Sequence, residues 1–148
     1  MAFEITPMTA DDVPQIAELE KACFSDPWPE SVLAHELENE LSLWLIARDG
    51  ASVLGYVGSQ SVLDEADMMN LAVRADCRRQ GVARALVLAL CARLHENGVR
   101  SLTLEVRASN APAARLYESL GFLQVGRRPN YYFHPKEDAC ILRKDGLA

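Results

Sequence analysis

The chain has 148 residues, 49% hydrophobic and 24% charged, with 15 Lys+Arg against 21 Asp+Glu for a formal net charge of -6. A chain near this length hides roughly 68–70% of its unfolded surface, so residues 1–148 can form a single domain on their own core, without metal or disulfide staples. The acidic balance disfavours direct nucleic-acid binding, which needs a basic field, and suits a basic peptide or small cationic substrate. The longest apolar run, Ala85–Ala92, falls far short of the roughly 20 residues that span a bilayer. The opening Met-Ala-Phe-Glu lacks the basic and apolar segments of a signal peptide. A soluble, cytoplasmic domain with no membrane partner is expected.

Phe3–Thr6 reads as a short opening strand. Thr9-Ala10-Asp11-Asp12 offers helix caps, and Pro14 fits only a first turn. Val13, Ile16, Leu19 and Cys23 then recur at helical spacing, which predicts a helix ending near Cys23. Asp26-Pro27-Trp28-Pro29 breaks it, and a second amphipathic helix is expected over Glu30–Asn39. Leu43–Arg48 and Ser52–Leu63 are strand-like and flank the hairpin signal Asp49-Gly50. Asp64-Glu65 reads as a turn into a third strand, Met68–Val73, followed by a polar stretch, Arg74–Gly81.

From Gly81 a helix is predicted to about Asn97, with Val82, Leu86, Leu90 and Leu94 on one face and Gly98 as its stop. Ser101–Arg107 alternates cleanly: Leu102, Leu104 and Val106 face one way, and Thr103, Glu105 and Arg107 the other. Ser109 or Asn110 can cap a helix with Pro112 in its first turn, stopped by Gly121. Phe122–Val125 and Ala139–Arg143 complete the order β-α-α-β-β-β-α-β-α-β-β. An antiparallel meander joined to βαβ crossovers implies an α/β mixed sheet with helices on both faces.

Cys23, Cys77, Cys91 and Cys140 are widely separated, without C-x-x-C or paired-histidine spacing, so neither a metal site nor a disulfide framework is expected. His35, His95 and His134 are equally scattered. Three features could carry chemistry. Arg78-Arg79-Gln80-Gly81-Val82-Ala83-Arg84 lies between a strand and a helix; small residues there let backbone approach a ligand, and free helix N-terminal amides attract phosphate. It matches neither the Walker pattern nor Gly-x-Gly-x-x-Gly. Glu105 projects from the polar face of its strand. Tyr117 lies near the end of the last helix. Taken singly, Glu105 and Tyr117 fit an ordinary exposed carboxylate and a half-buried packing tyrosine.

Together they carry a resemblance. Arg78-x-x-Gly81-x-Ala83 after a strand, with Asn110 and Leu116-Tyr117-x-x-x-Gly121-Phe122 downstream, resembles the GCN5-related N-acetyltransferase (GNAT) superfamily over nearly the whole chain. Leu63-Asp64-Glu65-Ala66, Asn70-Leu71-Ala72-Val73, the run Leu104–Asn110 and Asn130-Tyr131-Tyr132 are similar to the bacterial RimI group of ribosomal-protein-alanine N-acetyltransferases. Three positions depart: Ala83 stands where many members have glycine, Cys77 replaces a frequent aromatic, and Pro129 precedes Asn130.

The resemblance implies a GNAT-like fold and acetyl transfer from acetyl-CoA, without a metal. The acceptor it implies is the N-terminal α-amine of a protein, the N-terminal alanine of a small-subunit ribosomal protein. It implies Glu105 as base, Tyr117 as acid and the Val73 N–H as oxyanion donor. Leu71, Ala72 and Val73 would pair with the pantetheine arm, Arg79, Gln80, Gly81, Val82, Ala83 and Arg84 would hold the pyrophosphate, and Asn110 would touch CoA. Two other readings stay open: transfer to a small-molecule amine, and a non-catalytic CoA-binding module.

Overall fold

The computed structural model describes residues 2–148. It contains strands β1 (Glu4–Pro7), β2 (Ser42–Asp49), β3 (Ser52–Val62), β4 (Glu65–Val73), β5 (Ser101–Arg107), β6 (Leu123–Phe133) and β7 (Lys136–Asp145). The helices are α1 (Val13–Cys23), α2 (Glu30–Glu36), α3 (Val82–Glu96) and α4 (Ala111–Ser119), with 3-10 turns at Ala10–Asp12 and Ala75–Cys77. The strands form one seven-stranded sheet in the order β1-β2-β3-β4-β5-β7-β6. β4 and β5 are parallel, whereas the β1–β2, β2–β3, β5–β7 and β6–β7 pairs are antiparallel. The mixed α/β architecture and the element order agree with the sequence reading.

Boundaries differ most in four places, one being β7, which spans Lys136–Asp145 rather than Ala139–Arg143. The turn before β4 is Leu63–Asp64, so β4 starts at Glu65 rather than Met68; Leu63 takes φ 57° there. α2 stops at Glu36, where Asn39 and Ser42 bond back to the Glu36 carboxylate and turn the chain into β2. β6 runs on to Phe133, past the Val125 expected from sequence. Gly126 and Pro129 both weaken a strand taken alone. The strand accommodates Pro129 through a register shift between Arg128 and Tyr132, with Asn130 at φ 55°.

The chain divides into two compact units, one comprising residues up to Gln60 with Met69–Leu90, the other Ser61–Met68 with Cys91–Ala148. The first packs Ile16, Leu19, Leu33, Trp44, Ile46 and Tyr56 into a buried cluster, with Phe24 and Trp28 partly buried against it. Beside it Asp12, nearly inaccessible, takes two bonds from Arg48 (2.9 and 2.7 Å) and one from the Thr9 amide (2.8 Å). Burial opposes ionisation of Asp12, but the Arg48 and Thr9 hydrogen bonds outweigh it and hold the carboxyl below its ordinary range. The second unit buries Leu102, Leu104 and Val106 of β5 with Tyr117, Leu120 and Phe122, Tyr117 meeting Phe122 edge-on at 5.5 Å. The burial of β5 alternates as its sequence requires.

One glycine is fixed by an aromatic neighbour. Gly58 on β3 pairs with Trp44 on β2, and a Cβ built there would lie 2.5 Å from the indole. That indole stacks on Tyr56 (5.9 Å) and meets Trp28 edge-on (5.4 Å). Gly58→Ala therefore forces the indole off its seat. The expected cost is about 1–3 kcal/mol, the range for overpacked cores, read by chemical denaturation. An unchanged midpoint would mean the indole moves freely.

Candidate functional site

In the first unit the predicted cofactor residues occupy one continuous stretch. β4 ends at Val73, whose carbonyl accepts from Arg78 Nε (3.3 Å), while Arg74 and Asp76 pair at 2.7 and 3.1 Å and Gln80 reaches the Asp76 carbonyl (3.3 Å). The side chain of Cys77 is buried, so the position that sequence comparison associates with an aromatic serves as a core contact. Arg79 (φ 63°) and Gly81 (φ 81°) both take left-handed conformations, and a Cβ on Gly81 would meet nothing within 4 Å. Left-handed backbone is costly for arginine and is a mark of functional loops. α3 starts directly after it. The first amides of any helix lack intrahelical acceptors and carry positive dipole, and the first turn of α3 holds no acidic residue that would repel an anion. Such a helix start can accept an anion such as phosphate.

β4 supplies a second feature. It pairs in parallel with β5 at Glu65↔Ser101, Ala66↔Leu102 and Asp67↔Thr103 and runs on to Val73. Backbone groups in such a strand end need partners, from a neighbouring strand or from a ligand.

In the second unit Glu105 sits mid-β5, opposite Ile141 of β7. Its side chain is 23% exposed, with Arg128 Nη2 3.9 Å away. Tyr117 is buried on α4, and its hydroxyl reaches only the weak acceptor Met68 Sδ, at 3.7 Å, among the described residues. Burial, then Tyr132, pushes its pKa above the ordinary phenol value, so the proton stays on at neutral pH. Asn110 caps α4, its Oδ1 accepting from the Ala113 amide (3.2 Å), which leaves Nδ2 for other contacts. The Asn110 alternative for the helix cap is thus the one realised.

Sequence reasoning gave no role to the hairpin partners of Glu105. Arg107 lies 4.3 Å over the Tyr132 ring and bonds Glu137 (3.3 Å), while Glu137 accepts from the Ser109 amide (2.6 Å). Burial, then Tyr131 and Glu105, raises Tyr132 to about 12. Asn130-Tyr131-Tyr132 stood out in the sequence only as a string; its position on β6 depends on the strand running past Pro129. A separate open cavity of about 510 Å³ in this unit is lined by Asp64, Glu65, His95, Arg100, Arg143 and Asp145 and contains none of the predicted site residues.

A family model described as the acetyltransferase (GNAT) family matches residues 13–122. The chain belongs to the GNAT family. It is 39% identical over 140 residues to the [ribosomal protein bS18]-alanine N-acetyltransferase of Escherichia coli strain K12, covering 93% of this chain and 94% of that one. The crystal structure of the ribosomal-protein-S18-alanine N-acetyltransferase from Escherichia coli superposes with a TM-score of 0.89 at 38% identity, over 97% of this chain and 94% of that chain. The NatC complex bound to Gag peptide and CoA matches with a TM-score of 0.87 at 25% identity, covering 99% of each chain. Among the described residues of this GNAT chain, no group of three or more His, Cys, Asp or Glu could hold a metal, and no helix is long and apolar enough to cross a membrane.

The Asn110 cap separates two roles of one side chain. Asn110→Ala removes the acceptor for Ala113 and is expected to cost about 1 kcal/mol, whereas Asn110→Asp keeps the cap and most of the stability. Thermal unfolding of the two variants checks this; equal losses would remove the cap as the cause.

Proposed function

We propose that the chain is an N-acetyltransferase that moves an acetyl group from acetyl-CoA to the N-terminal α-amine of a protein, in particular the N-terminal alanine of the ribosomal protein bS18. The observation that carries this reading is 39% identity, over nearly the full length of both chains, to an enzyme of that name. A GNAT neighbour bound to CoA supports the co-substrate. The partner is then a ribosomal protein, with no metal, nucleic acid or membrane in the reaction, and the setting is the cytoplasm. Residues 1–148 act as one catalytic domain.

Acetyl-CoA supplies the activated acetyl group when bound; the chain's own residues do the rest. Arg79, Gln80, Gly81, Val82, Ala83 and Arg84 hold the pyrophosphate with the loop and α3 amides. Leu71, Ala72 and Val73 pair with the pantetheine arm along the end of β4, and Asn110 offers Nδ2 to CoA. The Val73 amide donates to the acetyl oxygen as it gains charge. Glu105, partly exposed, takes the proton of the α-amine through a water. An α-amine, with a pKa near 7.7–8.0, needs modest help, whereas a lysine near 10.4 is harder to deprotonate. Tyr117, kept protonated by burial, gives its proton to the departing sulfur.

Two experiments test these roles. Glu105→Gln keeps size and hydrogen bonding but removes the base, so activity at neutral pH should fall. It should recover partly as rising pH leaves more amine neutral. Tyr117→Phe should lower turnover by about 10²–10⁴-fold with acetyl-CoA affinity little changed. The assay is a pH–rate profile on an alanine-starting peptide and its N-blocked, lysine-containing twin. Superimposable profiles for wild type and Glu105→Gln would remove the base, and equal rates on both peptides would remove the α-amine.

For the loop, Gly81→Val places a side chain where the backbone is left-handed and space is open. Calorimetry should register at least a tenfold loss of acetyl-CoA affinity, equivalent to about 1.4 kcal/mol. Unaltered binding by the folded variant would move the pyrophosphate elsewhere.

A further inference from the structure

The first unit contains a buried carboxylate that the mechanism does not use. Glu20, in the last turns of α1, is fully buried. Its Oε1 accepts from the Trp28 amide (2.8 Å) and from Asn70 Nδ2 (3.0 Å). Its Oε2 accepts from Asn70 Nδ2 (2.9 Å) and from the Tyr56 hydroxyl. The donors come from three places: the connection between α1 and α2, strand β3 and strand β4. Burial, then the Tyr56–Glu20 bond, drives the Tyr56 phenol pKa far above its ordinary value, so Tyr56 remains a neutral donor. Both carboxylate oxygens carry two bonds each. Glu20 has no lone pair to spare for a substrate proton and acts through what it holds.

Taking a carboxylate out of water costs several kcal/mol unless its acceptors are well satisfied, and neutral donors repay this less fully than a cation does. A packed apolar side chain would tie α1 to β3 more cheaply. The network specifically fixes the Asn70 amide, and Asn70 immediately precedes Leu71–Val73, the residues assigned above to the pantetheine arm. Backbone that must present its N–H and C=O groups to a ligand needs a set register, and a side-chain anchor at its head supplies one. The far end is anchored too, by Arg78 Nε on the Val73 carbonyl.

We infer that Glu20 is a positioning residue: through Asn70 it sets the geometry of the β4 edge, Leu71–Val73, that receives acetyl-CoA. This rests on the cofactor assignment above and adds to it a residue on a different element. A purely structural Glu20 would affect unfolding and leave ligand affinity alone.

The test uses the reversal of donor and acceptor. Asn70→Asp sets carboxylate against carboxylate and should swing residue 70 away. Adding Glu20→Gln restores an amide–carboxylate pair with the roles exchanged. Calorimetry of acetyl-CoA, which needs no acceptor, should give about tenfold weaker binding for Asn70→Asp and recovery to within about threefold in the double variant, a coupling typical of residues in contact. With the alanine-starting peptide, KM for acetyl-CoA should rise and recover in parallel, more than kcat does. If Asn70→Asp does not fold, Asn70→Ala, which removes the anchor without repulsion, should still weaken binding severalfold. Lowered melting temperature with wild-type affinity and KM in the folded variants would overturn the inference, as would a double variant no better than Asn70→Asp. Wild-type protein that binds acetyl-CoA but does not acetylate the peptide would end the acceptor assignment and leave the Glu20 result standing. Wild-type protein that binds no acetyl-CoA would end both.

Discussion

β4 pairs in parallel with β5 at Glu65–Asp67 and runs on to Val73. This is the parallel step in a sheet whose other assigned registers are antiparallel, and parallel neighbours require a crossover, here α3. The crossover brings a helix N-terminus a few residues after the strand end, with only the turn Ala75–Cys77 and the left-handed Arg79 and Gly81 between. A strand end and the N-terminal amides of a helix, which lack intrahelical acceptors, therefore come from a single stretch of about fifteen residues. Neither feature needs an unusual side chain. Both follow from the crossover.

The two buried carboxylates of the first unit solve the cost of burial differently. Asp12 faces the Arg48 guanidinium in a two-bond fork and is a charge pair linking the start of α1 to β2. Glu20 faces a phenol, an amide and a main-chain N–H. A fork pair is geometrically specific but tolerates slight sliding. Three neutral donors from separate elements fix a carboxylate in both position and rotation, which suits an anchor more than a clamp.

Most of the fold was legible because its period signals are clean. The alternation of Ser101–Arg107 and the helical spacing of Val82, Leu86, Leu90 and Leu94 reappear as burial patterns. β6 was less legible, since Gly126 and Pro129 signal loop and only the pairing with β7 overrides them. Of the candidate site, the loop Arg79–Arg84, Glu105 and Tyr117 could be named through their resemblance to the GNAT motifs, and Asn110 as one of two possible caps. Glu20 could not. In sequence it is one more polar residue on an amphipathic helix, and nothing at positions 28, 56 or 70 says that they converge on it. The Arg107–Tyr132–Glu137 contacts were hidden for the same reason, being contacts between strands distant in sequence.

The chain has two tryptophans, and both belong to one cluster: Trp28 against Trp44, Trp44 against Tyr56, and Tyr56 on Glu20. Its ultraviolet emission is therefore a local signal that originates wholly in the first unit. Excited at the indole band, the protein reports on the α1–α2 connection and the β2–β3 pair, while the β6–β7 hairpin, with Tyr131 and Tyr132 but no indole, stays dark. Fluorescence and far-ultraviolet dichroism followed on the same sample thus view different parts of the molecule, and coincidence of their transitions measures how far the two units unfold together.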